Sequence, residues 1–391
     1  MKILSSSKPV TRFSKGKLFA VFLLLIIAQI VDAIIGNLAD IFKNFSISFW
    51  GVALFTLIAA IYCFGQYFIL EMVKGRNKEQ KITRAHFKII EKLVSVIQYI
   101  LTAIMVFLVL QTIFASKYYT AELNIGVIVS GGLAIYLMSL FAYWLLSWFR
   151  IRRTLILLLY GLAMAMTAIS VVGMVVQFSA ILLEKPQVVF PQSNVVFGAG
   201  PPLQQLANTV QSDAGIASFI LVWAGTILLL RHNIHRIGKV KFWALLSTPI
   251  IIFSYSYLSL YQSDLSISNL SNNPMFGVVM PVLLIIFSGI TAATLIGIAF
   301  QSVAKPLSDT TLIKDYMIIT AYAFILFFAT TLTSIGGVGY PPFGIVNVFL
   351  VGPFSFLILN GLYRSAISVA EDVNLRQSVR NTTKKRIETI G

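Results

Sequence analysis

The sequence is poor in the residues that carry most enzyme chemistry. It holds one cysteine, Cys63, and three histidines. A lone cysteine excludes a disulfide framework and a thiolate metal site. His232 and His235 stand in H-x-x-H spacing, which puts both on one helical face. Yet Arg231 and Arg236 flank them, and no Cys, Asp or Glu is near. A metal cation would meet repulsion there, so the stretch reads as a basic, lipid-facing turn. Acidic residues number only 14, and no pair of them shares a face. There is no G-x-S-x-G, no Walker sequence and no H-E-x-x-H. These absences speak against an enzyme, and no metal or cofactor is expected.

What is abundant is apolar. Hydrophobic residues make up 58% of the 391 and charged residues 11%. A soluble fold cannot hide that much apolar surface. The apolar residues fall into ten runs near the length that crosses a bilayer core. They are about Leu18–Ile35, Ile47–Leu70, Leu93–Ala115, Ile125–Trp148, Leu155–Leu182, Ile216–Leu230, Phe242–Leu260, Phe276–Phe300, Tyr316–Leu332 and Ile345–Tyr363. Each must be helical, because a lipid-exposed backbone has to satisfy its own hydrogen bonds. The expected fold is an all-α, polytopic transmembrane bundle over residues 1–363, followed by a tail over 364–391.

The net charge of +16 is explained by its placement. Alternate connections carry 27 of the Lys and Arg residues on one side and three on the other. Basic connections stay in the cytoplasm, so both termini are expected there, which an even number of spans allows. Trp50, Trp148, Trp243, Tyr118, Tyr119, Tyr261, Tyr340 and Tyr363 fall at segment ends, as interfacial belts do. Arg150, Arg152, Arg153, Arg231, Arg236, Lys239 and Lys241 are expected to contact anionic headgroups. No aromatic-interleaved basic module is present, which excludes nucleic acid as the partner. A different reading of the first segment is a signal peptide, with Val31 and Ala33 before the cleavage site. Cleavage would leave nine spans and an outer N-terminus.

Polar residues inside the spans are few. Asp32 is the one carboxylate within an apolar run, and Gln29 shares its face one turn earlier. The pair reads either as an interfacial carboxylate reaching water or as a proton or cation site. Gln66, Gln98, Gln111, Gln177 and Asn360 read as amides that join helices. Pro249, Pro281 and Gly352-Pro353 mark kinks, and Gly131-Gly132, Gly161 and Gly173 mark close packing.

The stretch "TLTSIGGVGYPPFG", Thr331 to Gly344, contains Val338-Gly339-Tyr340, the centre of a potassium filter. Its flanks are wrong, because Gly337 stands for the filter threonine and Pro341 for the last glycine. Proline cannot take glycine's conformations, so the stretch reads as a turn. The sizeable outer connection, 183–214, repeats Val-Val-Phe at 188–190 and 195–197. That pattern predicts a hairpin, and Pro202 predicts the start of a short helix with Leu203, Leu206 and Val210 on one face. Asn44 and Asn269 stand in N-x-S sequons. The tail turns from acidic (Glu371, Asp372) to basic (Arg376 to Arg386), which suits a helix continuing from the last span.

"YPPFGIVNVFL" followed by "GLYRSAISVAEDVNLRQSVR" resembles the C-terminal signature of an uncharacterised family of archaeal multi-pass membrane proteins. The resemblance covers about the last fifty residues. It implies an archaeal plasma-membrane protein with a cytoplasmic tail and carries over no functional residue. The expected function is a non-enzymatic sensor or signal relay, with the outer connection as input and the tail as the contact for a cytoplasmic partner. The other expectation is a secondary transporter working at the plane between the two halves of the chain.

Overall fold

The computed structural model describes residues 15–38, 41–79, 85–184, 186–189, 202–231, 234, 238–261, 279–304, 312–333 and 339–371. Arg236, His232, His235, Asn269 and the tail beyond residue 371 lie outside them. Eleven helices occur among the described residues. They are α1 (Lys15–Asn37), the single turn α2 (Lys43–Ser46), α3 (Phe49–Glu79), α4 (Ala85–Ala115), α5 (Thr120–Ile151), α6 (Leu155–Glu184), α7 (Pro202–Leu230), α8 (Lys239–Tyr261), α9 (Met280–Ala304), α10 (Leu312–Thr333) and α11 (Ile345–Glu371). Two three-residue strands, β1 (Lys117–Tyr119) and β2 (Gln187–Val189), pair antiparallel with Tyr118 opposite Val188.

Eight helices are long and apolar enough to cross a membrane: α1, α3, α4, α5, α6, α7, α9 and α11. The seventh and ninth apolar runs coincide with α8 and α10. Large side chains such as Phe64, Phe114, Ile128 and Ile169 stay exposed on the outside of the bundle. In water such a surface would drive aggregation, whereas hydrocarbon solvates it. Because lipid is as apolar as a leucine, the helices are held by close packing and by hydrogen bonds rather than by burial alone.

The organising element is α11. It packs against α1, α3, α4, α5 and α10, and 94% of its spanning window is buried. Four of those neighbours come from the first half of the chain, so the boundary between the halves is occupied by α11 itself. Close approach depends on small residues. A Cβ on Gly352 would stand 2.7 Å from the Ser130 carbonyl of α5, and one on Gly126 would collide with the Phe349 ring. Elsewhere, aromatic rings fill the gaps between helices. Phe300 of α9 stacks on Phe324 of α10 at 4.5 Å, and Tyr160 of α6 meets Phe300 edge-on.

Three local readings can be set against the structure. The strand over 187–189 pairs with β1, in the α4–α5 connection, while the second Val-Val-Phe of the expected hairpin lies outside the described residues. The helix opened by Pro202 is not short. It runs 29 residues without a break, through Gly215, which is seated close to Ser170. Pro281 lies near the start of the described part of α9, after the already helical Val279. Among the described residues, Pro249 lies inside α8 and Pro353 inside α11.

Candidate functional site

The polar residues of α11 lie at three levels, each meeting a different neighbour. At its N-terminus stands Asp32, completely buried. The first turn of a helix has backbone N–H groups without helical partners, and Gly344, which precedes α11, has no side chain to cap them. Asp32 of α1 supplies the acceptor instead. Its Oδ1 accepts the Gly344 N–H at 2.9 Å, and its Oδ2 accepts the Asn347 N–H at 3.4 Å. A carboxylate there is also favoured by the helix dipole. Gly344 has φ of +90°, a conformation glycine adopts without strain. Gly36 lets α1 come this close, since a Cβ on it would lie 3.1 Å from Gly344 Cα. The interfacial reading of Asp32 therefore fails: it caps a helix inside the protein rather than reaching water.

Gln29, on the same face of α1, is equally buried. Its Nε2 donates to Thr330 Oγ1 of α10 at 2.8 Å, and its backbone carbonyl accepts from Asn347 Nδ2 at 3.3 Å. Gln29, Asp32, Thr330 and Asn347 thus form one polar cluster joining α1, α10 and α11. The amide oxygens Gln29 Oε1 and Asn347 Oδ1 are buried with no hydrogen-bond partner.

The second level is the proline of α11. Pro353 has no N–H, so the Phe349 carbonyl four residues earlier loses its helical donor. Ser130 of α5 replaces it. Its Oγ lies 2.9 Å from the Phe349 carbonyl and 3.0 Å from that of Val348, and it accepts the Gly352 N–H at 3.2 Å. The neighbouring Gly131 faces Val175 of α6 instead, and a Cβ on Gly132 would meet nothing within 4 Å.

The third level lies near the other end of α11. Arg364 is 2% exposed. Its guanidinium donates to Glu91 of α4 at 3.2 Å through NH2 and to Asn360 Oδ1 at 3.0 Å through Nε. It also sits over the Phe87 ring, 5.1 Å from the centroid. Phe87 stacks on Tyr363, which stacks in turn on Trp144 of α5. Reading the sequence places Arg364 in a solvated tail. The structure buries it, because α11 continues to Glu371 and α4 brings a carboxylate alongside. A carboxylate and an arginine 273 positions apart leave no local signal of pairing.

The remaining sequence candidates fall outside this axis. Arg150, Arg152 and Arg153 are exposed at the α5–α6 connection, and Arg231, Lys239 and Lys241 are exposed around the α7–α8 connection. That placement leaves them free to meet headgroups. Tyr118 and Tyr340 do not form part of a belt. Tyr118 donates its phenol proton to the Gly339 carbonyl at 2.9 Å, and Tyr340 donates to the Thr112 carbonyl at 2.7 Å. Burial pushes both phenols above their ordinary range. The Gly339 carbonyl, which a potassium filter would turn toward an ion, is thus occupied by a tyrosine. Among the amides, Gln66 joins α3 to α4 through Thr102, and Gln177 joins α6 to α7 through Asn208. Alongside the latter, Thr167 meets Ser218 at 2.6 Å and Tyr160 meets Thr226 at 3.3 Å.

No group of three or more His, Cys, Asp or Glu residues able to hold a metal occurs among the described residues. Comparison with family models, curated proteins and solved structures finds no match for this chain. The fold and the axis along α11 therefore carry the functional argument. Together they define a multi-pass, membrane-embedded helical bundle.

Proposed function

We propose that the protein is a non-enzymatic relay of the archaeal plasma membrane, with ten spans and both termini in the cytoplasm. α8 and α10 are counted as spans beside the eight apolar helices, and α1 is kept as the first. The excess of basic residues on one set of connections supports the orientation. The observation that carries the reading is the clamping of α11 at both ends. Asp32 holds its N-terminus beside the Tyr118–Tyr340 turn, and Glu91 holds Arg364 just before the tail. A buried helix fixed at two ends moves as a rod, so a change at the outer ribbon and turn reaches the tail without refolding between them. The tail would then meet a cytoplasmic partner.

A spin label at Asn381, in a Cys63→Ala background, tests this. Tyr118→Phe and Asp32→Asn disturb the outer clamp only, and each should change the label's mobility. A label that behaves identically in correctly inserted wild type and both variants would sink the relay. The transporter reading keeps one specific support, the buried polar cluster around Gln29, which joins the two halves at one end of α11. Uptake of a small solute into liposomes by the intact chain, with unchanged tail mobility, would favour it.

A further inference from the structure

The cluster at the head of α11 has a composition that its structural duty does not explain. Asp32 is a lone buried carboxylate. Its hydrogen bonds come from backbone N–H groups, and among the described residues no Lys, Arg or His pairs with it. The same cluster holds two more buried oxygens to which nothing donates, Gln29 Oε1 and Asn347 Oδ1. The bonding network fixes their orientation. Thr330 donates its own proton to the Leu326 carbonyl at 2.7 Å, so its oxygen accepts, and Gln29 must present its NH2 group to it. Asn347 likewise must present its NH2 group to the Gln29 carbonyl. Turning the Asn347 amide over would set two acceptors face to face, and turning that of Gln29 would cost Thr330 its bond to the Leu326 carbonyl. Both oxygens are therefore committed to positions where nothing donates to them.

Three kinds of occupant can be weighed on charge and on donors. A proton on Asp32 neutralises the charge but gives one O–H for two waiting acceptors. A water molecule supplies two O–H groups but leaves a bare carboxylate in the membrane, where an uncompensated charge is expensive. The helix dipole offers only about half an elementary charge against it. A monovalent cation answers both needs, since it neutralises the carboxylate and takes the amide oxygens as ligands. A divalent ion would leave a net positive charge buried. Carboxylate and carbonyl oxygens, without nitrogen or sulfur, select hard cations.

We propose that Asp32, Gln29 and Asn347 form a binding site for a dehydrated alkali-metal cation of sodium's class, where α1 meets the N-terminus of α11. The site does not depend on the relay reading. Occupancy would strengthen the outer clamp, since the ion ties α1 and α11 through oxygens that otherwise stay without a partner.

The test uses the purified full chain in lipid nanodiscs at pH 8, in choline chloride. Sodium chloride replaces choline at constant total concentration while thermal unfolding is followed, and retention of radioactive sodium is counted. The unfolding midpoint should rise with sodium. At a hundred times the dissociation constant, the unfolded population should fall about 100-fold. Asp32→Asn should abolish both the shift and the retention. Because that variant also weakens the helix cap, Asn347→Ala and Gln29→Leu serve beside it. Both keep the Asp32 carboxylate and its backbone donors, and each should weaken sodium at least about tenfold, as loss of one of few ligands does. Stability indifferent to sodium or potassium over choline would overturn the site, and so would stability that follows pH alone. Wild-type sodium dependence in Asn347→Ala and Gln29→Leu would overturn it as well.

Discussion

Ser130→Ala removes a single hydroxyl, and its cost depends on a proline 223 positions away. In the wild-type chain the Phe349 carbonyl has no helical donor, because Pro353 lacks an N–H, and Ser130 Oγ lies 2.9 Å from it. Deleting the hydroxyl leaves a buried acceptor bare, which costs about 1–3 kcal/mol in a protein interior. In membranes such bonds average roughly 0.6 kcal/mol and reach about 1.7, because the reference state finds other partners. Here the carbonyl lies where α5 and α11 pack closely, with Gly126 against the Phe349 ring and Leu133 beside Gly352. The upper membrane value is therefore the right one, and Ser130→Ala should cost about 1.5 kcal/mol, roughly a twelvefold shift in the folding equilibrium. The decisive comparison is the Pro353→Ala background. An alanine at 353 restores the N–H that reaches the Phe349 carbonyl, so the serine becomes redundant for it. Ser130→Ala should then cost less than about 0.7 kcal/mol, giving a coupling near 1 kcal/mol in a double-mutant cycle. Reversible unfolding in mixed micelles, followed by tryptophan fluorescence, measures all four proteins. Equal costs in both backgrounds would refute the idea that Ser130 serves the carbonyl freed by proline.

The buried ion pair should respond asymmetrically. The Arg364 side chain is 3% exposed and that of Glu91 20%. Glu91→Leu strands a guanidinium in the core and should cost about 3 kcal/mol, whereas Arg364→Met leaves a carboxylate that reaches water and should cost about 1 kcal/mol, as micelle unfolding would read. Gly352→Ala drives a methyl onto the Ser130 backbone oxygen and should destabilise by about 2 kcal/mol in the same assay, with no relief from Ser130→Ala. For orientation, single cysteines at Ser193 and Asn272, with Cys63→Ala, should react with an impermeant reagent from outside, while Asn77 and Asn381 should stay protected in sealed cells. Changing Arg150, Arg152 and Arg153 together to Gln should lower the fraction of correctly oriented protein in that labelling assay, since all three are exposed at one connection.

Sequence alone was enough for what hydropathy decides. Eight of the ten apolar runs lie within helices and the other two, Ile47–Leu70 and Phe276–Phe300, overlap α3 and α9, because a run of apolar residues in lipid has no other way to bond its backbone. The turn at Tyr340–Gly344 was also legible, since proline and glycine restrict φ wherever they occur. Asp32 and Gln29 stood out by being polar in an apolar run. What they do was not legible, because Asp32 meets Gly344 and Gln29 meets Thr330 across some 300 positions. Distance along the chain likewise hid Glu91 behind Arg364, Ser130 behind Pro353 and β1 behind β2. Local propensity acts over a few residues and decides where helices begin and end. Which helix becomes the centre is a matter of how small residues and orphaned backbone groups fit together in space. That fit chose α11, whose sequence is no more apolar than that of its neighbours but whose glycines and proline admit α5 and whose first turn lacks a cap of its own.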